Sequence, residues 1–196
     1  MENKLGREEK FTERAKVEAT KRFFNSGIKE KGEKTEKSIL QNRAAFGNQF
    51  QGDIGEGIAE RVATDKLGLT PDPRFDKSMG GHGIDTVYLK GKDQVAVVEA
   101  KCDERGIKAL QGNQMQPEWV EHNAKLMRTP GNERYTTGNA EIGRDILDIG
   151  VNKVRRIVIT TDPTTLEVKA FEGQPDRSWK EIGKWYATDL EQPYLK

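Results

Sequence analysis

The ribbon from Gly83 to Lys101 constrains this chain more than any other stretch. Two apolar, β-branched runs, Ile84 to Leu89 and Val95 to Lys101, flank a short polar link, Lys90-Gly91-Lys92-Asp93. That is the pattern of a β-hairpin. Charge interrupts the two runs only at Asp85, Glu99 and Lys101. Residues two apart on a strand share a face, so Glu99 and Lys101 lie with Val95 and Val97, and Asp85 lies with Val87 and Leu89. A three-residue link (Gly91 to Asp93) pairs Leu89 with Val95, Val87 with Val97, and Asp85 with Glu99. Like charges directly opposite one another destabilise a sheet. A divalent cation held between the two carboxylates is the obvious remedy.

The chain around this ribbon has 196 residues, the length of one ordinary domain with an appendage. Residues 1–38 carry 11 Lys/Arg against 8 Asp/Glu, while the formal charge of the whole is only +1. The body, residues 39–196, is therefore slightly acidic, and any nucleic acid must be met by a local patch. Cys102 is the only cysteine. That excludes a disulfide framework and a cysteine zinc cluster, and it fits a reducing, cytoplasmic site of action. No apolar run approaches the roughly 18 residues of a membrane span, and the charged N-terminus lacks the apolar core of a signal peptide.

Residues 1–24 read as a thinly amphipathic helix and residues 25–38 as linker, so 1–38 forms a charged arm. Leu40 to Phe50 suggests a short helix. Asp53 is placed to cap the next one, with Glu56 at the capping-box position and Gly68 as its stop. Glu56 and Glu60 fall one turn apart on it. Arg74 to Asp76 reads as a short extended piece in a loop, and Asp103 to Leu110 as a helical turn. Pro117 opens a helix with Trp119, Val120, Ala124 and Met127 on its apolar side. A further helix spans Glu141 to Ile149. Strands are expected at Val154 to Thr160 and Leu166 to Phe171, and an amphipathic tail helix over Ser178 to Leu190. The sum is an α/β fold: a central mixed sheet flanked by helices.

Two carboxylates a few ångströms apart bind a hard cation such as Mg²⁺ or Mn²⁺ through oxygen, and the Ala100 carbonyl is available as a further ligand. Such a metal activates water and neutralises charge on a phosphate. Lys101, on the same face, can position that water or clamp the phosphate. An acid-x-Lys at a strand end is ordinarily a surface ion pair. Asp85 inside an apolar strand is harder to dismiss, because Asp is depleted in strands.

The set resembles the PD-(D/E)XK nuclease superfamily, the restriction-endonuclease fold. There a helix glutamate precedes a hairpin whose first strand carries Asp and whose second ends in Glu-x-Lys. Gly52-Asp53-Ile54-Gly55-Glu56 resembles the family's first helix, with Glu56 the better match and Glu60 the runner-up. Gly83-Ile84-Asp85 supplies the Asp, without a proline before it, and Val98-Glu99-Ala100-Lys101 the rest. Gln114 resembles the glutamine that several branches place beside the site. The spelling His82-Gly83-Ile84-Asp85-Thr86-Val87-Tyr88, with Gly112-Asn113-Gln114-Met115 and Glu118-Trp119-Val120, is most similar to toxin nuclease domains of bacterial competition systems. The resemblance implies a restriction-endonuclease-like core and cleavage of nucleic acid, DNA before RNA. Glu56, Asp85 and Glu99 would hold the metal, Lys101 would act on the water, and Gln114 would orient Lys101 or the water. It further implies delivery from a secreting cell and a cognate immunity protein as partner. A repair or Holliday-junction-resolving nuclease is the alternative within the class, and a noncatalytic nucleic-acid-binding module the alternative outside it.

Other residues weigh less. His82 is a loop histidine near the site or a plain glycine-loop residue. His122 lacks zinc-like company. Trp119 at helical spacing reads as core before base-stacker. Lys153 and Arg155 share a strand face, where they meet either solvent or a phosphate backbone.

Overall fold

The computed structural model describes residues 55–76, 83–89, 94–129, 135–162 and 167–187, with 52, 165 and 190. The arm, the helix near residues 40–50, the Asp53 cap, His82 and the Lys90–Asp93 link lie outside the described residues. Helix α1 covers residues 55–61 and runs on into a π-helical turn, Val62–Lys66. Then come β1 (Thr70–Pro71), β2 (Thr86–Leu89), β3 (Val95–Cys102), a 3₁₀ turn (Gly106–Ala109), α2 (Pro117–Arg128), α3 (Thr137–Ile149), β4 (Arg155–Thr161), β5 (Glu167–Gly173) and β6 (Trp179–Tyr186).

The six strands lie side by side in chain order. Every neighbouring pair is antiparallel except β3 and β4, which are parallel. A parallel pair needs a long crossover, and α2 and α3 fill it. The period-two alternation of β3 then sorts its side chains between two layers. Ala96 and Val98 join Ile157, Ile159 and Tyr88 under α1, which contributes Ile58, Ala59, Val62 and Ala63. Val95 and Val97 join Val87 and Val158 under α2 and α3, which contribute Val120, Ala124, Met127, Ile142 and Ile146. β3 is covered on both faces, which is why it reads as a nearly continuous apolar run.

Local signals fix most boundaries. Gly68 stops α1 with φ of +64°, and Pro117 opens α2. α3 starts at Thr137, four residues before the expected Glu141. Thr136 caps it by accepting from Asn139 N at 3.3 Å. The buried Asn139 amide accepts from Asp76 N at 2.9 Å and donates to Asp76 O at 2.8 Å. Thr136 and Asn139, ahead of the expected start, therefore serve as cap and anchor.

Two further expectations are corrected. Arg74 to Asp76 is no strand. The extended piece is Thr70–Pro71, and Asp72 folds the chain back by accepting from Arg74 N and Nε, both at 3.0 Å. The tail helix is instead strand β6, which ends at Tyr186. A register shift opposite Ala170 and Phe171 breaks its alternation. Ile182 and Trp185, three apart, consequently pack against the same cluster, and that spacing imitates a helix.

A Cβ on Gly143 would lie 2.6 Å from the Ala124 carbonyl oxygen and 3.0 Å from Met127 Cβ, so this glycine lets α3 close on α2. Alanine's helix preference alone would stabilise the protein by about 1 kcal/mol. Gly143→Ala should nevertheless lower the unfolding free energy by about 1–3 kcal/mol through overpacking, read by urea denaturation.

Candidate active site

The hairpin has the register that its alternation implies: Leu89 faces Val95 and Val87 faces Val97. β2 begins at Thr86, opposite Val98, and the same register sets Asp85 across from Glu99. The main chain departs at Gly83, with φ of +136°. The next rung is made by a side chain, since Asp85 Oδ2 accepts from Ala100 N at 3.1 Å. A short carboxylate suits this task, because Asp readily bonds nearby backbone N–H groups. It also locks Asp85 onto the strand that carries Glu99.

Glu99 is only 2% exposed. Its Oε1 accepts from Lys101 Nζ at 2.5 Å and from Gln114 Nε2 at 2.6 Å. Its Oε2 is buried with no N–H or O–H donor on it, and the Asp85 carboxyl lies within hydrogen-bonding reach of Glu99. Burial, then the charge of Asp85, push the Glu99 carboxyl up to about 7 against the opposing pull of Lys101. Two adjoining carboxylates, one with an orphaned oxygen, are completed by a proton or by a cation.

Gln114 lies in the turn before α2, and its Oε1 accepts from Gln111 N at 3.3 Å. Both ends of the amide are engaged. Its partner at the site is Glu99, where orientation of Lys101 or of a water was expected. The Lys101 side chain is 23% exposed, so the group reaches solvent at its cation.

The structure thus brings Asp85, Glu99, Lys101 and Gln114 together. Among the described residues no group of three or more His, Cys, Asp or Glu side chains is arranged to hold a metal ion. The start of α1 abuts the end of β3, where a Cβ on Gly55 would lie 2.8 Å from Cys102 Cβ. α1 covers the sheet face opposite Glu99. The charge of Glu60, the runner-up, acts on Tyr88 of that same opposite face.

Lys153 falls in the turn before β4, so it shares no strand face with Arg155, and Arg155 and Arg156 lie on opposite faces of the strand. Arg155 pairs with Glu172 at 2.6 Å and lies two residues from Ile157, on the α1 face. Arg156, opposite Val97, lies on the Glu99 face and is 4% exposed. It donates to the carbonyl of Met115, next to Gln114. Neither is a free phosphate clamp. The link from Arg156 to Gln114 escapes sequence reading because 41 residues separate Arg156 from Met115. The one local signal is a cation set inside an apolar strand.

What fold and site define is an α/β protein with a six-stranded mixed sheet and a buried Glu99 set beside the half-buried Asp85 and bonded to Lys101 and Gln114. No protein-family model matches the chain, and no curated protein or solved structure matches it. Among the described residues no helix is long and apolar enough to cross a membrane.

The raised Glu99 carboxyl has a consequence for stability. Its folded value of about 7 exceeds the ordinary 4.5, so the native state binds this proton more tightly than the unfolded chain. The contribution is full below 4.5 and is lost as pH rises through about 7. In EDTA the melting temperature should fall across that window. Glu99→Gln should flatten the fall and raise the melting temperature at about pH 8 relative to wild type, as read by thermal denaturation.

Proposed function

We propose that this chain is a metal-dependent nuclease with a restriction-endonuclease-like core, hydrolysing phosphodiester bonds of DNA. The observation that carries the reading is the buried, orphaned Oε2 of Glu99 beside Asp85, with Lys101 on the other oxygen of the same carboxylate. An ion pair kept for structure alone would satisfy both oxygens and would not set a second acid against the first. The donor set is all oxygen, as Mg²⁺ and Mn²⁺ require.

Asp85 and Glu99 would hold such an ion, which when bound supplies Lewis acidity and activates water. Glu56, at the start of α1, is the subsidiary candidate. Lys101 supplies a point charge at the mouth of the site. It would position the attacking water and offset negative charge growing on the phosphate. Gln114 keeps the Glu99 carboxylate in one orientation, so that the ligand geometry is preset. The mixed sheet flanked by helices, with the Asp and Glu-x-Lys hairpin at its centre, supports the same family reading. By that resemblance the biological setting is an antibacterial toxin domain with a cognate immunity protein.

Supercoiled plasmid and a structured RNA, each incubated with protein and Mg²⁺ or Mn²⁺, test the reading. Wild type should cut the plasmid. Asp85→Asn, Glu99→Gln and Lys101→Ala should each slow cutting by about 10²-fold or more, the scale of losing one preorganised electrostatic group. Intact plasmid and RNA with wild type would sink the nuclease reading, and full activity in the variants would sink the site. Growth arrest on expression in bacteria, dependent on Asp85, is expected for the toxin. Unaffected growth with cutting confined to branched DNA would favour the junction-resolving nuclease.

A further inference from the structure

Two non-glycine residues among those described have positive φ, Met115 at +64° and Arg177 at +69°. Such conformations cost energy and persist where surrounding bonds over-determine them. Both belong to one hub, built on the buried guanidinium of Arg156. Its NH1 donates to the Met115 carbonyl at 3.0 Å and to Gln116 Oε1 at 3.3 Å. Its NH2 donates to the Gln174 carbonyl at 2.8 Å. The same group lies over the Trp179 ring, 5.9 Å from its centroid. Gln116 Nε2 donates onward to the Arg177 carbonyl at 3.4 Å, and Arg177 pairs with Glu118. The Arg156 bonds all end on carbonyl or amide oxygens, so they fix backbone geometry and do not cancel charge.

The turn held in this way is the one that carries Gln114, and Gln114 Nε2 reaches Glu99 Oε1 at 2.6 Å. We propose that Arg156 is a positioning residue for the candidate active site. By fixing the left-handed Met115 it aims Gln114 at Glu99, and it ties that aim to the turn between β5 and β6. The proposal rests on the nuclease reading of the site. Without the guanidinium, Met115 relaxes toward negative φ and the turn carries the Gln114 amide off the carboxylate. Lysine is no substitute, because a single ammonium lacks the planar fork that spans oxygens on two segments.

Two variants test this. Arg156→Met removes the donors. Gly173→Ala displaces them, since a Cβ there would lie 2.8 Å from Arg156 Cζ and 3.0 Å from both terminal nitrogens. In ¹⁵N-labelled protein the Gln114 side-chain amide, assigned by its loss in Gln114→Met, should be shifted downfield and slow to exchange. Both variants should return it to the position of a solvent-exposed glutamine while the rest of the spectrum stays dispersed. Plasmid cleavage should fall about tenfold in kcat with KM unchanged, the scale of one hydrogen bond to a charged group. Adding Gln114→Met to either variant should cost nothing further, and Arg156→Lys should not rescue. An unchanged amide signal and kcat in folded Arg156→Met overturns the proposal. If that variant does not fold, the same result in Gly173→Ala overturns it. If wild type cuts nothing, the nuclease reading fails separately, and the amide resonance still decides whether Arg156 sets Gln114.

Discussion

A carboxylate sits inside a strand that is covered on both faces, and the local structure is arranged around keeping it there. Burying an ionised group is costly unless it is paired and hydrogen-bonded. Glu99 meets that demand with one oxygen only, through Lys101 and Gln114. Each of those partners needs its own support. Lys101 has it from the strand, because a spacing of two puts it on the same face. Gln114 has it from a turn that reverses at Met115 and is clamped from β4. Asp85 is held by the N–H of Ala100, the rung that β2 leaves unfilled. The carboxylate pair is thus supported from the hairpin, from the crossover and from the next strand.

The support is incomplete in a directed way. The fold could have given Glu99 a second donor, or placed an amide where Asp85 stands. It brings up another acid instead, and burial and that acid act together to raise the Glu99 carboxyl to about 7. Strongly perturbed groups with a named charge partner cluster at functional sites. Working sites tend to break the local rules that the rest of a fold keeps. Asp72 makes the contrast. It is also buried, yet Arg74 engages both its oxygens, at 3.0 and 2.7 Å, and holds its carboxyl below the usual range despite burial. That is how this protein treats a buried acid that only has to hold a loop.

The hairpin was legible because a period of two and the parity of a short link leave little freedom. Alternation alone places Asp85, Glu99 and Lys101 on one face, and the register agrees. Pro117 and Gly68 announced helix ends through their own backbone preferences. β6 was not legible because its register shift puts apolar residues at helical intervals. The face that α1 covers was not legible, because it depends on packing with Ile157 and Ile159, about a hundred residues away. Gln114 was legible as a polar residue near the site, while its partner was not. Side-chain bonds across a crossover depend on how the turn is clamped, and the partner of Arg156 lies 41 residues away.

Charge decides how such a site could meet a polyanion. The chain as a whole carries only +1, and the arginines at the start of β4 are committed to Glu172 and to backbone carbonyls. The site group itself holds two carboxyls against one lysine. With both ionised it carries a surplus negative charge and repels phosphate. A bound divalent cation reverses that sign locally, because it is the largest charge in the group. On the proposed reading, a divalent ion held by Asp85 and Glu99 would offset that surplus in a nearly neutral protein, and binding of metal and of a phosphodiester would then be linked. The Glu99 oxygen left without a donor would be the one to face such an ion, while Lys101 and Gln114 hold the other.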